Sequence, residues 1–388
     1  MKVPVKALSK RYALLPIIVL GVWLSLNKQQ YSEPSFYFPE QVSAEADQPK
    51  LIETTATDGG TASVHSATAI ELDNGNLLAM WYGGTREGHT DVSLYKAVFD
   101  QSKQAWIGHE KVLDRYDISQ QLNRYIKKVG NPVLVKHPAG PVVLFYVTVS
   151  LGGWATSQVN MAVSYDDGQS WHSSKRLVTS PFINISTLVK NDAVIYQDGT
   201  IGITGYHELF GEFSEMIRVN LQGEVINKYR ITDGDYTIQP TVIVQDPDHA
   251  VALIRDSSRH TEKVHYSKTS DGGKTWSDYE KLAVDNPNSA VYGFKDNKDR
   301  LWMLFNEATR QVEFPRNTMA LAVSTDNGKT WTTKHYFENP GKDLNLNATY
   351  GYPWVTVTTS GDYHVFYTRD RESIVHHQFN QAWLEALL

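Results

Sequence analysis

Ser164-Tyr165-Asp166-Asp167-Gly168-Gln169-Ser170-Trp171 recurs as Thr269-Ser270-Asp271-Gly272-Gly273-Lys274-Thr275-Trp276 and again as Ser324-Thr325-Asp326-Asn327-Gly328-Lys329-Thr330-Trp331. The shared chemistry is that of a turn. An Asp carboxylate accepts nearby backbone N–H groups, a Gly supplies positive φ, and a Trp packs back into the sheet. Each copy follows a β-rich run, and a weaker form extends from Asp100 to Trp106. The role read from this pattern is structural, not catalytic or calcium-binding.

Outward from these turns, six hairpins follow one another along the chain. Their turns lie at Asp73-Asn74-Gly75, Gly140, Asp198-Gly199, Asp246-Pro247-Asp248, Asp296 to Asp299, and Ser360-Gly361-Asp362. Apolar, β-branched or aromatic runs flank each one, from Ala67 through Leu77-Leu78-Ala79-Met80-Trp81-Tyr82 to His364-Val365-Phe366-Tyr367. Short β-rich runs around Gly, Asp and Asn turns are hairpin signals. Their spacing of roughly 50 to 65 residues leaves room for four strands per repeat, which is the signature of a propeller. The predicted fold is all-β, a six-bladed β-propeller over residues 49–388.

Composition agrees with an ordinary globular chain of 388 residues, 41% hydrophobic and 21% charged, with 21 Tyr and 10 Trp to favour strands. A net charge of −6 excludes a broad basic footprint for nucleic acid. The absence of cysteine excludes disulfides, thiolate chemistry and a lipoprotein anchor. No spacing of His, Asp or Glu matches a metal motif, and no glycine-rich phosphate loop is present, so no metal or cofactor is expected. At the N-terminus Lys2, Lys6, Lys10 and Arg11 precede an uncharged run from Tyr12 to Asn27. Residues 1–27 therefore read as a signal-anchor or a signal peptide, and residues 28–48 as a linker. The expectation is a membrane attachment through this segment, with the propeller on the periplasmic side of the inner membrane, or secreted if the segment is cleaved.

Chain direction places the polar residues. If the first strand of each repeat descends beside the central channel, its start and the end of the second strand share one face. First-strand starts carry His65, Asn131, Gln239, Asn288 and Tyr352. Second-strand ends carry Arg86, Glu87, His89 and Asp91, then His207 and Glu208, then Arg255, Asp256 and Arg259, then Asn306, Glu307 and Arg310, then Arg369 and Arg371. Arg clustered with carboxylates and His is what an anionic ligand requires.

The repeated octapeptides, known as Asp-boxes, and the six repeats resemble the sialidase superfamily, in particular its divergent bacterial branch of BNR-repeat proteins. Gly83-Gly84-Thr85-Arg86-Glu87-Gly88-His89-Thr90-Asp91 and the end from Tyr352 to Arg369 carry that likeness, which covers roughly residues 55 to 380. Sialidases clamp the substrate carboxylate with three Arg, attack with a Tyr activated by a Glu, and use an Asp as acid/base. The resemblance implies Tyr352 as nucleophile, Arg316 and Arg255 or Arg259 as clamp residues, Arg86 as a further site Arg, and Asp91 as the acid. The chain departs from the pattern twice. His65 stands where the first clamp Arg is expected, and Gln239 stands near the place of the activating Glu. His65 and Glu208 are then further acid/base candidates, with His207, Gln239, Asn306 and Arg369 lining the ligand.

The expected function is a sialidase-like exo-glycosidase acting on an acidic sugar of a glycan or polysaccharide, not necessarily sialic acid. Two alternatives remain at this stage. One is a non-catalytic glycan-binding propeller, favoured by the two departures. The other is a uronate-directed lyase in which His65 or Tyr352 removes a proton beside a carboxylate neutralised by Arg.

Overall fold

In a computed structural model the residues described are 31–38, 48–57, 60–180, 182–234, 236–258, 260, 262–339 and 346–388. The anchor segment expected at 1–27 lies outside them, as does the proposed clamp residue Arg259. Among the described residues no helix is long and apolar enough to cross a membrane.

The strands form six antiparallel sheets, one for each repeat. The first strand, β1 (Leu51–Thr57), belongs to the last of them. Blade I holds β2 (Ser63–Glu71), β3 (Leu77–Gly84), β4 (Ser93–Asp100) and β5 (Ala105–Leu113). Blade II holds β6 (Lys128–Lys136), β7 (Val142–Val149), β8 (Gln158–Ser164) and β9 (Ser174–Arg176). In blade III the inner strand is broken into β10 (Leu188–Val189) and β11 (Val194–Ile195), both paired to β12 (Ile201–His207), with β13 (Phe213–Val219) and β14 (Val225–Arg230) outside. Blade IV is β15 (Thr237–Val244) to β18 (Glu280–Asp285), and blade V is β19 (Tyr292–Lys295) to β22 (Thr332–Glu338). Blade VI comprises β23 (Tyr350–Val357), β24 (Tyr363–Arg369), β25 (Ser373–Phe379) and then β1. Leu51 pairs with Phe379 and Thr57 with Ile374, so the N-terminal side of the chain supplies the outer strand of the C-terminal blade and closes the ring. A propeller so built covers its central strands on both faces, and the second strands of blades I and II, Leu77 to Gly84 and Val142 to Val149, are buried throughout.

The three octapeptide turns behave as their chemistry predicts. Asp166 accepts from the Ser170 N–H at 2.9 Å, Asp271 from Thr275 at 2.9 Å and Asp326 from Thr330 at 2.9 Å. Gly168, Gly273 and Gly328 have positive φ. Trp276 and Trp331 each donate their indole N–H to the carbonyl of that Gly. All three turns join the third and fourth strands of a blade.

The linker assignment of 28–48 needs correction at residues 34–38. Phe36 is fully buried and stacks on Tyr196 at 5.4 Å. Its N–H donates to Pro247 O, and Tyr37 N–H donates to Ile195 O, both at 2.7 Å. Residues 34–38 thus lie along blades III and IV. The second octapeptide carries Gly272 where the others carry Asp167 and Asn327. A Cβ at Gly272 would lie 2.0 Å from Pro34 O, so the close approach of Pro34 requires that glycine. The sequence pattern did not separate a polar spacer from one holding a single core aromatic.

A C-terminal helix spans Gln381–Ala386 and is capped by Asn380, whose side chain accepts from the Trp383 N–H. Beside it blade VI buries a set of imidazoles. His364 Nδ1 and His376 Nε2 are 2.8 Å apart, and His377 contacts Tyr367 Oη at 2.8 Å. Burial pushes His364 down to about 4 and His377 down to about 3, and holds His376 well below the usual imidazole range.

Two predictions follow from this packing. Phe36→Ala is expected to destabilise the propeller by about 3–5 kcal/mol, read as a lowered urea midpoint. The buried histidines have folded values below their unfolded value near ~6.5, so below that pH the unfolded chain binds more protons. Stability is therefore expected to be flat above neutrality and to fall as pH drops from about 6.5 toward about 4. His364→Gln should make the slope of Tm against pH shallower in that window.

Candidate active site

A left-handed residue begins the inner strand of every blade. Ser66, Asn131, Ser186, Gln239, Asn288 and Tyr352 all have φ between 43° and 69°; regular inner-strand pairing follows two residues later in five blades and from Tyr292 in blade V. In blades I, II, IV and VI the ladder skips there, from His65 to Thr68, Gly130 to Val133, Ile238 to Thr241 and Gly351 to Trp354. Such a bulge re-aims one side chain out of the alternating pattern. Non-glycine residues at positive φ are strained, and strain of this kind collects at ligand sites. Three of the six positions carry a proline next, in Asn131-Pro132, Gln239-Pro240 and Tyr352-Pro353.

Blades IV, V and VI turn their bulge residues onto one another. Gln239 Nε2 donates to Tyr352 Oη at 3.0 Å and to Tyr206 Oη at 3.2 Å. Arg255 Nη1 donates to Gln239 Oε1 and Arg255 Nε to Asn288 Oδ1, each at 2.8 Å. Arg316 donates to Asn288 O. A guanidinium has no acceptor, so Arg255 fixes the Gln239 amide with its oxygen toward Arg255 and its NH2 toward the tyrosines. Tyr352 oxygen therefore receives a hydrogen bond from a group that has no means of taking its proton.

Three arginines gather around Tyr352. Arg255 lies at the end of β16 (Ala250–Asp256), Arg316 precedes β21 (Met319–Ser324), and Arg371 sits in the turn between β24 and β25. Arg371 O accepts from Val64 N–H at 2.7 Å, which holds that turn against the start of blade I. Burial pulls Arg316 down to about 10, helped by Arg255 and Arg371. Arg371 is opposed by burial but held above its ordinary value by Glu87, with which it forms an ion pair. Among the described residues neither Arg255 nor Arg316 has a carboxylate partner; their bonds go to amide and carbonyl oxygens.

Carboxylates face this group from blades I and III. Glu208 is raised above the usual carboxylate range by burial, with Glu212 and Glu87 adding to the rise and Arg255 opposing it. Its backbone N–H is held by the Ser186 hydroxyl at 3.0 Å, so the bulge of blade III positions it.

His65 is brought to the same place, its ring 4.1 Å from that of Tyr352, but with a changed character. Burial, then Arg371, Arg316, Lys190 and Arg255, hold it well below the imidazole range. A proton on His65 is disfavoured by four neighbouring cations, so it fits a neutral polar contact better than a general base. Its Nδ1 shares a 2.8 Å hydrogen bond with Thr368, and its buried Nε2 has no hydrogen-bond partner among the described residues.

Of the residues expected from the sequence, Tyr352, His65, Glu208, Arg255, Arg316 and Gln239 come together. Arg259 lies outside the described residues, and the remaining ones have other surroundings. Asp91 is fixed by the Thr85 hydroxyl at 2.6 Å and by His89 at 2.6 Å, which keeps it below the usual carboxylate range. It lines a different cavity of about 430 Å³, between the top of blade I and Asp114 to Tyr116. Arg86 is exposed in the adjoining loop. His207 stacks on Phe213 and bonds Glu215 at 2.8 Å, within the surface ion pairs of blade III. Asn306 is fully buried and donates to Thr318 O and to Tyr350 O, tying blade V to blade VI. Arg369 pairs with Glu338 and Glu53, between the outer strands of blades V and VI. At strand ends, alternation decides which side chain turns inward, and a bulge shifts that alternation by one.

Lys190, Tyr206 and Tyr82 were not anticipated, and Arg371 was read only as a rim residue. The signal for Lys190 is a polar triplet, Lys190-Asn191-Asp192, interrupting the apolar inner strand of blade III.

The BNR repeat-like domain family matches residues 75–365. The chain belongs to that family. No curated protein matches it in sequence. Among solved structures it is similar to the Hadza microbial sialidase Hz136, at 17% identity and a TM-score of 0.68 over 87% of this chain and 69% of that one. The intramolecular trans-sialidase from Ruminococcus gnavus aligns at 12% identity and a TM-score of 0.65, over 85% and 96% of the two chains. An α-L-arabinofuranosidase from Fusarium graminearum aligns at 12% identity and 0.55, over 82% and 92%. This BNR-repeat protein thus shares the sialidase-like propeller fold.

Two part-buried guanidiniums with no carboxylate partner among the described residues should repel each other. Arg316→Met is expected to leave Tm unchanged or raise it. Thermal denaturation of the two proteins checks this.

Proposed function

We propose that the protein is an exo-glycosidase acting on a sugar that carries a carboxylate. The observation that supports this reading most is the pair Arg255 and Arg316, half-buried beside Tyr352 with only neutral partners. Buried positive charge is costly unless matched, and a planar carboxylate matches an arginine fork. Arg371 adds a third donor once Glu87 yields it.

In the proposed reaction the carboxylate is held by Arg255, Arg316 and Arg371, which presents the anomeric carbon to Tyr352. The Tyr352 phenol loses its proton to solvent, and the phenolate oxygen forms a bond to that carbon as the glycosidic C–O bond breaks, with the electron pair leaving on the aglycone oxygen. Glu208, whose carboxyl is raised above the usual range by burial and by Glu212, delivers a proton to that oxygen. Water then displaces Tyr352 from the sugar, giving its proton to Glu208. The resemblance supports Tyr352 as nucleophile. Glu208 is preferred to Asp91 as the acid, because burial raises the Glu208 carboxyl whereas hydrogen bonds from Thr85 and His89 lower that of Asp91. Gln239 does not replace an activating carboxylate, and positive charge around Tyr352 is left to assist it.

The test is a screen of the purified protein against 4-methylumbelliferyl glycosides of acidic sugars. Tyr352→Phe is expected to lower kcat/KM by at least about 10³-fold, and Arg316→Ala to act mainly on KM. Glu208→Gln should slow substrates with poor leaving groups more than activated ones. As general acid, Glu208 also makes kcat/KM fall as pH rises through its raised value. Full activity in Tyr352→Phe sinks the mechanism. Retention of an acidic glycan with no turnover of any substrate would favour a binding propeller.

A further inference from the structure

We infer that Lys190 is the positioning residue that supplies the positive charge against which the Tyr352 oxygen becomes anionic. This rests on the reading of Tyr352 as nucleophile.

Lys190 sits in the break between β10 and β11, where Lys190-Asn191-Asp192 interrupts the inner strand of blade III. The side chain is 1% exposed. Its Nζ donates to Pro353 O at 2.6 Å and to Asn191 Oδ1 at 2.7 Å. It lies 5.5 Å from the ring centroid of Tyr352 and 5.6 Å from that of Tyr292. Asn191 is in turn anchored by donating to Gln239 O at 2.9 Å and Val291 O at 3.2 Å. One loop of blade III therefore reaches the bulge residues of blades IV and VI and the inner strand of blade V.

Two features of this arrangement exceed what packing needs. The first is the missing counter-ion. Among the described residues Lys190 has no carboxylate in ion-pair range, and its hydrogen bonds go to a carbonyl and an amide oxygen. Burial, and then Arg255, push its ammonium well below the usual lysine range. Such a cation gains most from a negative charge that forms beside it, and the group beside it that becomes negative is the Tyr352 phenol. The second is the partner at Tyr352 itself. Gln239 donates to the Tyr352 oxygen and takes no proton, so among the described residues no base is hydrogen-bonded there. An ammonium under the ring, with Gln239 donating at the oxygen, stabilises the anion. The bond to Pro353 O also clamps the peptide that follows the left-handed Tyr352, which holds ring and charge in register.

The test needs no substrate. Benzenesulfonyl fluoride reacts with a tyrosine when the phenolate oxygen attacks sulfur. An S–O bond forms, the S–F bond breaks, fluoride leaves, and the phenol proton goes to solvent. The full chain is treated at neutral pH, and peptide mass spectrometry compares the rate at Tyr352 with that at Tyr165, an 82% exposed reference in the same molecule. In the wild type Tyr352 is expected to react at least about tenfold faster than Tyr165. Lys190→Met, which removes charge and both hydrogen bonds, and Lys190→Gln, which keeps a donor without charge, should each lower that ratio by on the order of 10- to 100-fold. Tm and near-UV circular dichroism of Lys190→Gln report whether the fold is kept. A wild-type ratio at or below one overturns the inference, even if neither variant folds. So does a folded Lys190→Gln with the wild-type ratio. Fast, Lys190-dependent labelling in a protein that cleaves no glycoside would sink the glycosidase reading and leave the role of Lys190 standing. Loss of turnover in Tyr352→Phe with labelling indifferent to Lys190 would do the reverse.

Discussion

The site depends on a backbone constraint that every blade repeats. One residue at the start of each inner strand is held at positive φ, and in four blades the ladder skips at that point. Without the skip, alternation would turn Gln239 and Tyr352 into the packing between blades. With it they point at each other across the channel mouth, 3.0 Å apart through a hydrogen bond. The strain is tolerable because the inner strands are paired and covered on both sides. A rigid ring over-determines six locally unfavourable residues.

Ring closure makes that rigidity possible. β1 pairs along β25, so blade VI is completed by a strand from the other end of the chain. The turn between β24 and β25 is then pinned by Val64, and Arg371 projects from that turn. Here closing the fold and placing a charge are one event. The consequence is an uneven mouth. Blades IV to VI contribute Arg255, Arg316 and Arg371, whereas blades I and III contribute Glu87, Glu208 and Glu212. A ligand with a carboxylate at one end and a bond to be protonated at the other suits such a division. The same unevenness separates the two histidine roles. His65 is held below the usual imidazole range first by burial and then by the cations around it, whereas burial in blade VI dominates for His364 and His376.

The sequence by itself determined the number of blades, because turn chemistry is local. Asp, Gly and Trp at fixed spacing specify the octapeptide turn wherever they occur, and apolar runs around Gly and Asp specify hairpins. It also determined which face would be polar, since strand direction alternates. Tyr352, Arg255, Arg316, Gln239, His65 and Glu208 were legible on those grounds or through the family likeness. What only the tertiary structure decided was which of two neighbouring side chains at a strand end turns inward, and which distant charges meet. Arg369 and Arg371 are two residues apart, yet one holds Glu338 between outer strands and the other stands at the mouth. Asn306 and His207 looked like ligand contacts and proved to be bonds within and between blades. Lys190 was hidden because its meaning comes from Pro353 and Tyr352, more than 160 positions away in the chain. Local pattern carries no record of such a pairing; desolvation and Coulomb interaction between blades act only once the ring has closed.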